Sequence, residues 1–399
     1  MDRVPSASPL RDAGSGGGGP RLDMNMGMGM KPWHVLADDL TGALDTGAAW
    51  AGQAEVPVFL GAPGASPEPL QVVATATRDA PVASLPSLLA PCLEWFTTSG
   101  CAFKKVDSLL RGNTFAEIAW LLRSGRFAGA VFAPAFPAQG RFTARGHHWV
   151  APAHQPFGAC AHDRRIALAP LFDEVGLEVQ PPGPVPERLP QAGPVLIPDV
   201  LGDADLDRIA RLTTDPQARH WLWCASAGLA WALARQDPAA AASASAWLEP
   251  PRGTVLVLTA SRHPVLREQL QQLQHLPALG AGIELRDLSG TAAMSAREAH
   301  ARLTQGMQAL AATRPRPAML VVVGGDTLLA LCRAAGVRCL QAGPAVRAGW
   351  GRARLVGGVW DGLTCLSRSG AFGPPDDLQS LLAAIDPQPG APRQRKATP

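Results

Sequence analysis

The sequence predicts an α/β protein of two domains, each a mainly parallel sheet flanked by helices. Three observations carry that expectation. Short apolar runs alternate with helical patterns along most of the chain. Several of those runs end in Asp, Gly, Ser or Arg, as parallel strands do where their carboxyl ends face a ligand. A chain of 399 residues also exceeds what one hydrophobic core usually organises.

Trp33 to Ala37 is the first β-capable run; Asp38 and Asp39 follow at once, and Thr41 can cap a helix through Ala43, Ala48 and Trp50. Val56 to Leu60 and Gln71 to Thr75 read as strands. Ala102 to Val106 is another, followed by a polar turn from Asp107 to Asn113 and a helix through Phe115, Ile118, Ala119 and Leu122. Gly129 to Ala133 is a strand leading into PAFPAQGR. Residues 181–194 are dense in Pro and Gly, a hinge-like stretch or a long connection. Beyond them come Val195 to Pro198, a helix from Asp205 to Leu212, the strand-like HWLWCA and a helix after Ala227; Trp221, Trp223 and Trp231 read as core. Thr254 to Leu258 and Met319 to Val323 are strands. The expected division is a disordered segment over 1–30, a first domain over 31–245, a second over 246–385 and a disordered tail over 386–399. The change of domain falls near 240–250, where an Ala/Ser run precedes LEPPRG.

Composition narrows the classes. Apolar residues make up 47% and charged residues 17%, enough for sizeable cores, and a formal charge of +3 predicts no strong attraction to nucleic acid or anionic membranes. The seven cysteines contain no C-x-x-C pair, so free thiols in a reducing cytoplasm are expected. Met1 to Met30 lacks the apolar core of a signal peptide, and no 18-residue apolar run occurs, which points to a cytoplasmic protein. His147, His148, His154 and His162 lie close in sequence without zinc-like spacing; they are expected to be solvated loop residues, and no metal-ligand set is expected.

Six segments could carry chemistry. ADDLTGALDTG places adjacent carboxylates at a strand end, a costly arrangement unless they meet a cation or a hydroxyl; its plain reading is a helix cap with a solvated acid. FKKVDSLLRGN gathers Lys105, Asp107, Ser108, Arg111 and Asn113 in one strand-to-helix turn, suited to an organic anion, or equally a capped helix with an internal ion pair. Arg78 gains weight only because its strand end should lie beside these two. VLTASRHP, with Ser261, and VVVGGDTLLAL, with Gly324, Gly325, Asp326 and Thr327, are anion-ready turns that open helices. LSRSGAFG has Gly370 and Gly373, which allow close backbone approach to a ligand. Neither a G-x-x-x-x-G-K-[ST] nor a G-x-G-x-x-G motif is present, which weakens a nicotinamide oxidoreductase reading.

In order, the stretches ADDLTGALD, Arg78, KKVDSLLRGN, PAFPAQGR, ASRH, GGDT and SRSGAFG resemble the four-carbon acid sugar kinase family over residues 34 to 380. The KK-x-DS-x-LRGN form resembles its D-threonate kinase branch. The resemblance implies a sugar-acid-binding N-terminal domain, a nucleotide-binding C-terminal domain and an active site in the cleft between them. ATP and Mg²⁺ are the implied cofactors and a small sugar acid the implied partner, with room for a homodimer. It implies a substrate site of Asp39, Arg78, Lys105, Asp107, Ser108 and Arg111, and an ATP site of Ser261, Gly324, Gly325, Asp326, Thr327 and Gly370. The expected reaction phosphorylates D-threonate or erythronate at the terminal hydroxyl. Arg78 with Arg111 or Lys105 would clamp the carboxylate, and Asp39 or Asp107 would be the catalytic base. A 3-oxo-tetronate kinase and a non-catalytic sugar-acid sensor are the alternatives. Leu109, Ala260 and Arg368 depart from the family's Thr, Gly and Lys, and Leu109 is expected to shift substrate choice.

Overall fold

The computed structural model describes residues 32–52, 54–152, 155–158, 164–237, 251–274, 282–290, 294–347 and 349–385. The expected disordered ends, the boundary near 240–250, His154, His162 and Cys160 lie outside these residues. From Lys31 onward the chain forms one compact unit.

The first half runs β1 (Trp33–Ala37), α1 (Leu40–Trp50), β2 (Val56–Leu60), β3 (Leu70–Ala74), α2 (Leu85–Thr97), β4 (Cys101–Lys105), α3 (Thr114–Arg123) and β5 (Gly129–Ala133). Three short strands follow: β6 (Arg141–Ala144), β7 (His147–Val150) and β8 (Arg164–Ala167). Then come α4 (Ala169–Asp173), α5 (Asp203–Leu212), β9 (Trp221–Ala225) and α6 (Ala227–Arg235). The second half runs β10 (Val255–Thr259), α7 (Pro264–Gln274), β11 (Ile283–Asp287), α8 (Ala296–Thr313), β12 (Met319–Val323), α9 (Gly325–Ala335), β13 (Cys339–Arg347), β14 (Trp350–Val356), β15 (Thr364–Arg368) and α10 (Asp377–Ile385).

Twelve strands form one sheet in the order β11-β10-β12-β15-β14-β13-β2-β3-β1-β4-β9-β5. The central strands are buried on both faces, which is why WHVLA, VLVLT and MLVVV are almost uninterrupted apolar runs. Two α/β blocks share this sheet. One hydrophobic cluster joins Leu36, Phe96, Phe132 and Phe172; another joins Val257, Leu266, Val321, Trp350 and Leu381.

The join between the blocks sets up the cleft. β13 pairs antiparallel with β2 and with β14, and β14 pairs antiparallel with β15. Three antiparallel steps reverse the second parallel set relative to the first. Six steps separate β12 from β1. At about 20–25° of twist per step the strand direction turns by roughly 120–150°, which largely undoes the reversal. Both sets therefore deliver their carboxyl ends to one place: a Cβ on Gly325, just after β12, would lie 3.1 Å from Asp39 Oδ2, just after β1.

Several sequence expectations need correction. Residues 141–167 contain the separate antiparallel sheet β6-β7-β8, with His147 and His148 on β7; His148 is fully buried where a solvated loop histidine was expected. Trp221 and Trp223 are buried in β9, whereas Trp231 is half-buried. The six described cysteines are buried free thiols.

Candidate active site

The carboxyl ends of β1, β3 and β4 form one charged cluster. Asp39 caps α1: its Oδ1 accepts from the Gly42 N–H at 3.0 Å and its Oδ2 from the Thr41 hydroxyl at 2.8 Å. Arg78, beyond β3, donates from Nε to Asp38 Oδ2 at 2.7 Å, and from Nη2 to Asp38 Oδ1 at 3.1 Å and Asp39 Oδ1 at 2.8 Å. The same Nη2 lies 3.5 Å from Asp107 Oδ1. Arg111 grips Asp107 with both ends of its fork, at 2.7 and 2.8 Å, and its backbone N–H donates to Asp107 Oδ2 at 3.1 Å.

Burial works to raise the carboxyls of Asp38 and Asp107. For Asp107 the Arg111 hydrogen bond and the charges of Arg78, Arg111 and Lys105 override it, holding that carboxyl well below its usual range. The charges of Arg78, Lys104 and Lys105 do the same for Asp38. The turn carrying Asp107 and Arg111 is latched to the Arg78 loop. Asn113 Nδ2 donates to the carbonyls of Thr77 and Ala80 at 2.8 and 2.7 Å. Gly112, at φ +74°, fits where a Cβ would meet the Arg78 carbonyl at 2.5 Å. Leu110 takes a strained φ of +56° within this turn.

Two adjoining spaces open from the cluster. The smaller, of about 40 Å³, lies between α1, the ends of β4 and β9, and strands β14 and β15; Lys105, Asp45, Ser108 and Phe136 are on its wall. Lys105 is buried, and among the described residues its ammonium makes neither a hydrogen bond nor an ion pair. Its neighbour Lys104, by contrast, is spent on the fully buried Glu117 at 2.7 Å. The larger space, of about 830 Å³, lies against Ser261, Gly324, Gly325, Asp326 and Gly370. Asp39, Thr41, Arg78, Arg111 and Ser369 border both spaces and form the line between them.

The far wall is built from backbone. Ser261 N–H donates to Thr259 Oγ1 at 3.1 Å, and Ala260 N–H to Thr327 Oγ1 at 3.1 Å, so Thr327 is buried and braces the turn. Gly324 has φ +114° and opens α9. A Cβ on Gly370 would collide with Ser261 Oγ and lie 3.0 Å from Ser261 Cβ, so these two turns touch. Burial raises the Asp326 carboxyl, and the nearby charges of Asp79 and Asp39 raise it further.

All the sequence-predicted site residues thus meet at one cleft: Asp39, Arg78, Lys105, Asp107, Ser108 and Arg111 on one side, Ser261, Gly324, Gly325, Asp326, Thr327 and Gly370 on the other. Three details differ from expectation. Leu109 is not among the residues bordering either space. Arg368 turns to Asp377 and Gln269 and lies 4.7 Å from the Trp350 ring centroid, bracing the glycine turn from behind. Gly373 packs on that same Arg368–Asp377 pair instead of facing the cleft. Asp45 and His148 were not singled out as site residues. Asp45 shows in sequence only as the last residue of ADDLTGALD; His148 gives no signal, because its partner is the Ser108 carbonyl, 2.8 Å away and 40 residues earlier.

Residues 33–172 match the family described as Sugar-binding N-terminal domain. A D-threonate kinase of Bordetella bronchiseptica is 28% identical, over 88% of this chain and 96% of that protein. A D-threonate kinase of Cupriavidus necator is 34% identical, over 70% of this chain and 65% of that one. Among solved structures, a Salmonella typhimurium LT2 protein named as a tRNA synthase superposes with a TM-score of 0.64 at 19% identity, covering 89% of this chain and 98% of its own. Haemophilus influenzae protein HI1011 gives 0.61 at 16%, covering 88% and 100%. At those identities the structural likeness establishes the fold alone.

Proposed function

Since the chain belongs to the four-carbon acid sugar kinase family, we propose that it transfers the γ-phosphoryl group of ATP to the terminal hydroxyl of a four-carbon sugar acid of the D-threonate or erythronate type. The observation that carries this reading is the meeting of Asp39 with the Gly325 turn, which puts a carboxylate and two arginines on the line between a small polar chamber and a larger glycine-walled one.

The division of roles follows from which charges are already matched. Asp107 is saturated by Arg111 and backbone N–H groups, so it is a support for the turn and a poor base. Asp39 borders both chambers, with Oδ2 toward Gly325, and accepts the hydroxyl proton as the new P–O bond forms. Arg78 is committed to Asp38 and Asp39 through Nε and Nη2, so it serves chiefly to hold those carboxylates. Lys105, the unmatched cation of the small chamber, takes the substrate carboxylate. Arg111, two-fifths exposed and bordering both chambers, neutralises charge on the group in transfer.

The nucleotide wall fits phosphates because its glycines leave room for close backbone approach, and a Cβ at Gly325 or Gly370 would fill it. Among the described residues no three His, Cys, Asp or Glu side chains form a metal cage. Asp326 and Asp79, whose charges repel across the cleft, would hold the Mg²⁺ that accompanies a nucleotide, and that ion would supply charge neutralisation at the phosphates. The test is an ADP-release screen over four-carbon aldonates, with the position of the new phosphate read by NMR. A terminal phosphate on one of these acids is expected; no ADP release above background with any of them would overturn the assignment.

A further inference from the structure

In the small chamber nearly every charge is neutralised by another protein group. Arg78 is matched by Asp38 and Asp39, Arg111 by Asp107, and Arg368 by Asp377. Two groups are left over. Lys105 is one, and Asp45 is the other.

Asp45 lies inside α1, four residues after Thr41 and three after Gly42, so the three share one helix face, and all of them border the chamber. Gly42 keeps that face open: a Cβ there would strike Asp39 Oδ1 and come within 2.7 Å of Lys105 Nζ. Asp45 is half-buried and, among the described residues, has no salt bridge to an arginine. Among the described residues the indole N–H of Trp231 on α6 acts on this carboxyl as a donor would, lowering it, and the Lys105 ammonium acts on it through its field. A carboxylate with two oxygens and about four acceptor sites is therefore left with most of its hydrogen-bonding capacity directed at the chamber.

Burial raises the Asp45 carboxyl, only partly offset by Lys105 and Trp231, and Asp39 raises it further. Such a group gains when a neutral hydroxyl donates to it, whereas a second carboxylate beside it is repelled. This orients an acid in the chamber: its carboxylate belongs at Lys105 and its internal hydroxyls at Asp45, while the end to be phosphorylated belongs at Asp39 on the border with the larger space.

We propose that Asp45, oriented by Trp231, is the specificity-determining residue of the chamber: it accepts hydrogen bonds from the internal hydroxyls of a polyhydroxy acid and so rejects acids that lack them. This rests on the assignment of the chamber to a four-carbon sugar acid. A hydrogen bond to a charged acceptor, and the desolvated acceptor left behind when the hydroxyl is absent, correspond to discrimination of roughly 10- to 100-fold.

The experiment measures equilibrium binding by calorimetry, without turnover, of D-threonate, D-erythronate and the 3-deoxy acid 2,4-dihydroxybutanoate to the wild-type chain, to Asp45→Asn and to Trp231→Phe. Expected is a wild-type preference for a trihydroxy acid of roughly 10-fold or more. That preference should fall to about threefold or less in Asp45→Asn and to an intermediate value in Trp231→Phe. Trp231→Phe removes the orienting donor and leaves the carboxylate, so it tests the idea even if the Asn variant folds poorly. Wild-type discrimination retained in both variants would overturn the role of Asp45 while leaving the kinase assignment standing. If the wild-type chain binds none of the three acids, the substrate assignment falls and this role falls with it.

Discussion

The two walls of the cleft handle negative charge by opposite means. On the side of β1, β3 and β4, Asp38, Asp39 and Asp107 are interleaved with Arg78 and Arg111, each partner within 3.5 Å of the next. On the side of β10, β12 and β15 the wall is made of Ser261, Gly324, Gly325 and Gly370, with backbone groups in place of ion pairs. The first wall is rigid because removing any member strands a buried charge. The second is rigid because its turns touch and leave no room for a side chain. Damage to the first should therefore appear as instability and lost chemistry, and damage to the second as lost nucleotide affinity on an intact fold.

The largest expected effect comes from Arg78→Ala. It leaves Asp38, 3% exposed at its side chain, without its fork. Removing one partner of a buried pair costs on the order of 3–5 kcal/mol, so urea unfolding should show a loss of that size. Wild-type stability in the variant would mean the first wall is held by something other than these pairs.

Next comes Asp39→Asn. If Asp39 accepts the proton, kcat should drop by roughly 10²-fold or more, while the amide still caps α1 and Arg78 keeps its fork on Asp38, so the loss of stability should be smaller than in Arg78→Ala. An unchanged kcat would take Asp39 out of the chemistry and reduce the contrast between the walls to packing. Smaller still is Gly370→Ala, where the new methyl meets Ser261. The KM for ATP should rise by about tenfold, on the order of 1.4 kcal/mol, with little change in the KM for the acid. A rise for the acid alone would assign the two walls the other way round.

The same contrast bears on what the sequence disclosed. The parallel strands were legible because burial on both faces leaves runs such as MLVVV, and each run ends where a polar motif begins. The six motifs could be placed at one sheet edge for the same reason. The antiparallel pieces were not legible: RFTA and HHWV mix polar, aromatic and small residues, and their pairing depends on register with a neighbour, not on an apolar period. Nor could sequence tell a committed cation from an open one. Lys104 and Lys105 are adjacent, yet strand alternation sends one to Glu117 and the other to the small chamber. Arg78 reads as a ligand-binding arginine until Asp38, 40 residues earlier, is found in its fork.

His148 offers the smallest test, and it probes what stands behind the first wall. Its Nε2 lies 2.8 Å from the Ser108 carbonyl, which makes Nε2 the protonated nitrogen and ties β7 to the turn that carries Asp107 and Arg111. Burial lowers its pKa to about 4, with Arg141 and Arg164 adding to the depression and Asp107 and the Ser108 hydrogen bond opposing it. A histidine depressed in the folded state binds fewer protons there than in the unfolded chain. Its contribution is therefore intact above the unfolded value near 6.5 and is lost as pH falls from there toward about 4. Between about pH 7 and about 5.5 this amounts to roughly 1 kcal/mol. His148→Gln keeps a donor for the Ser108 carbonyl and removes the titration, so its urea midpoint should be flatter across that interval than the wild-type midpoint. Parallel pH profiles for the two proteins would show that the imidazole is free to protonate, and that the turn is not held from behind in this way.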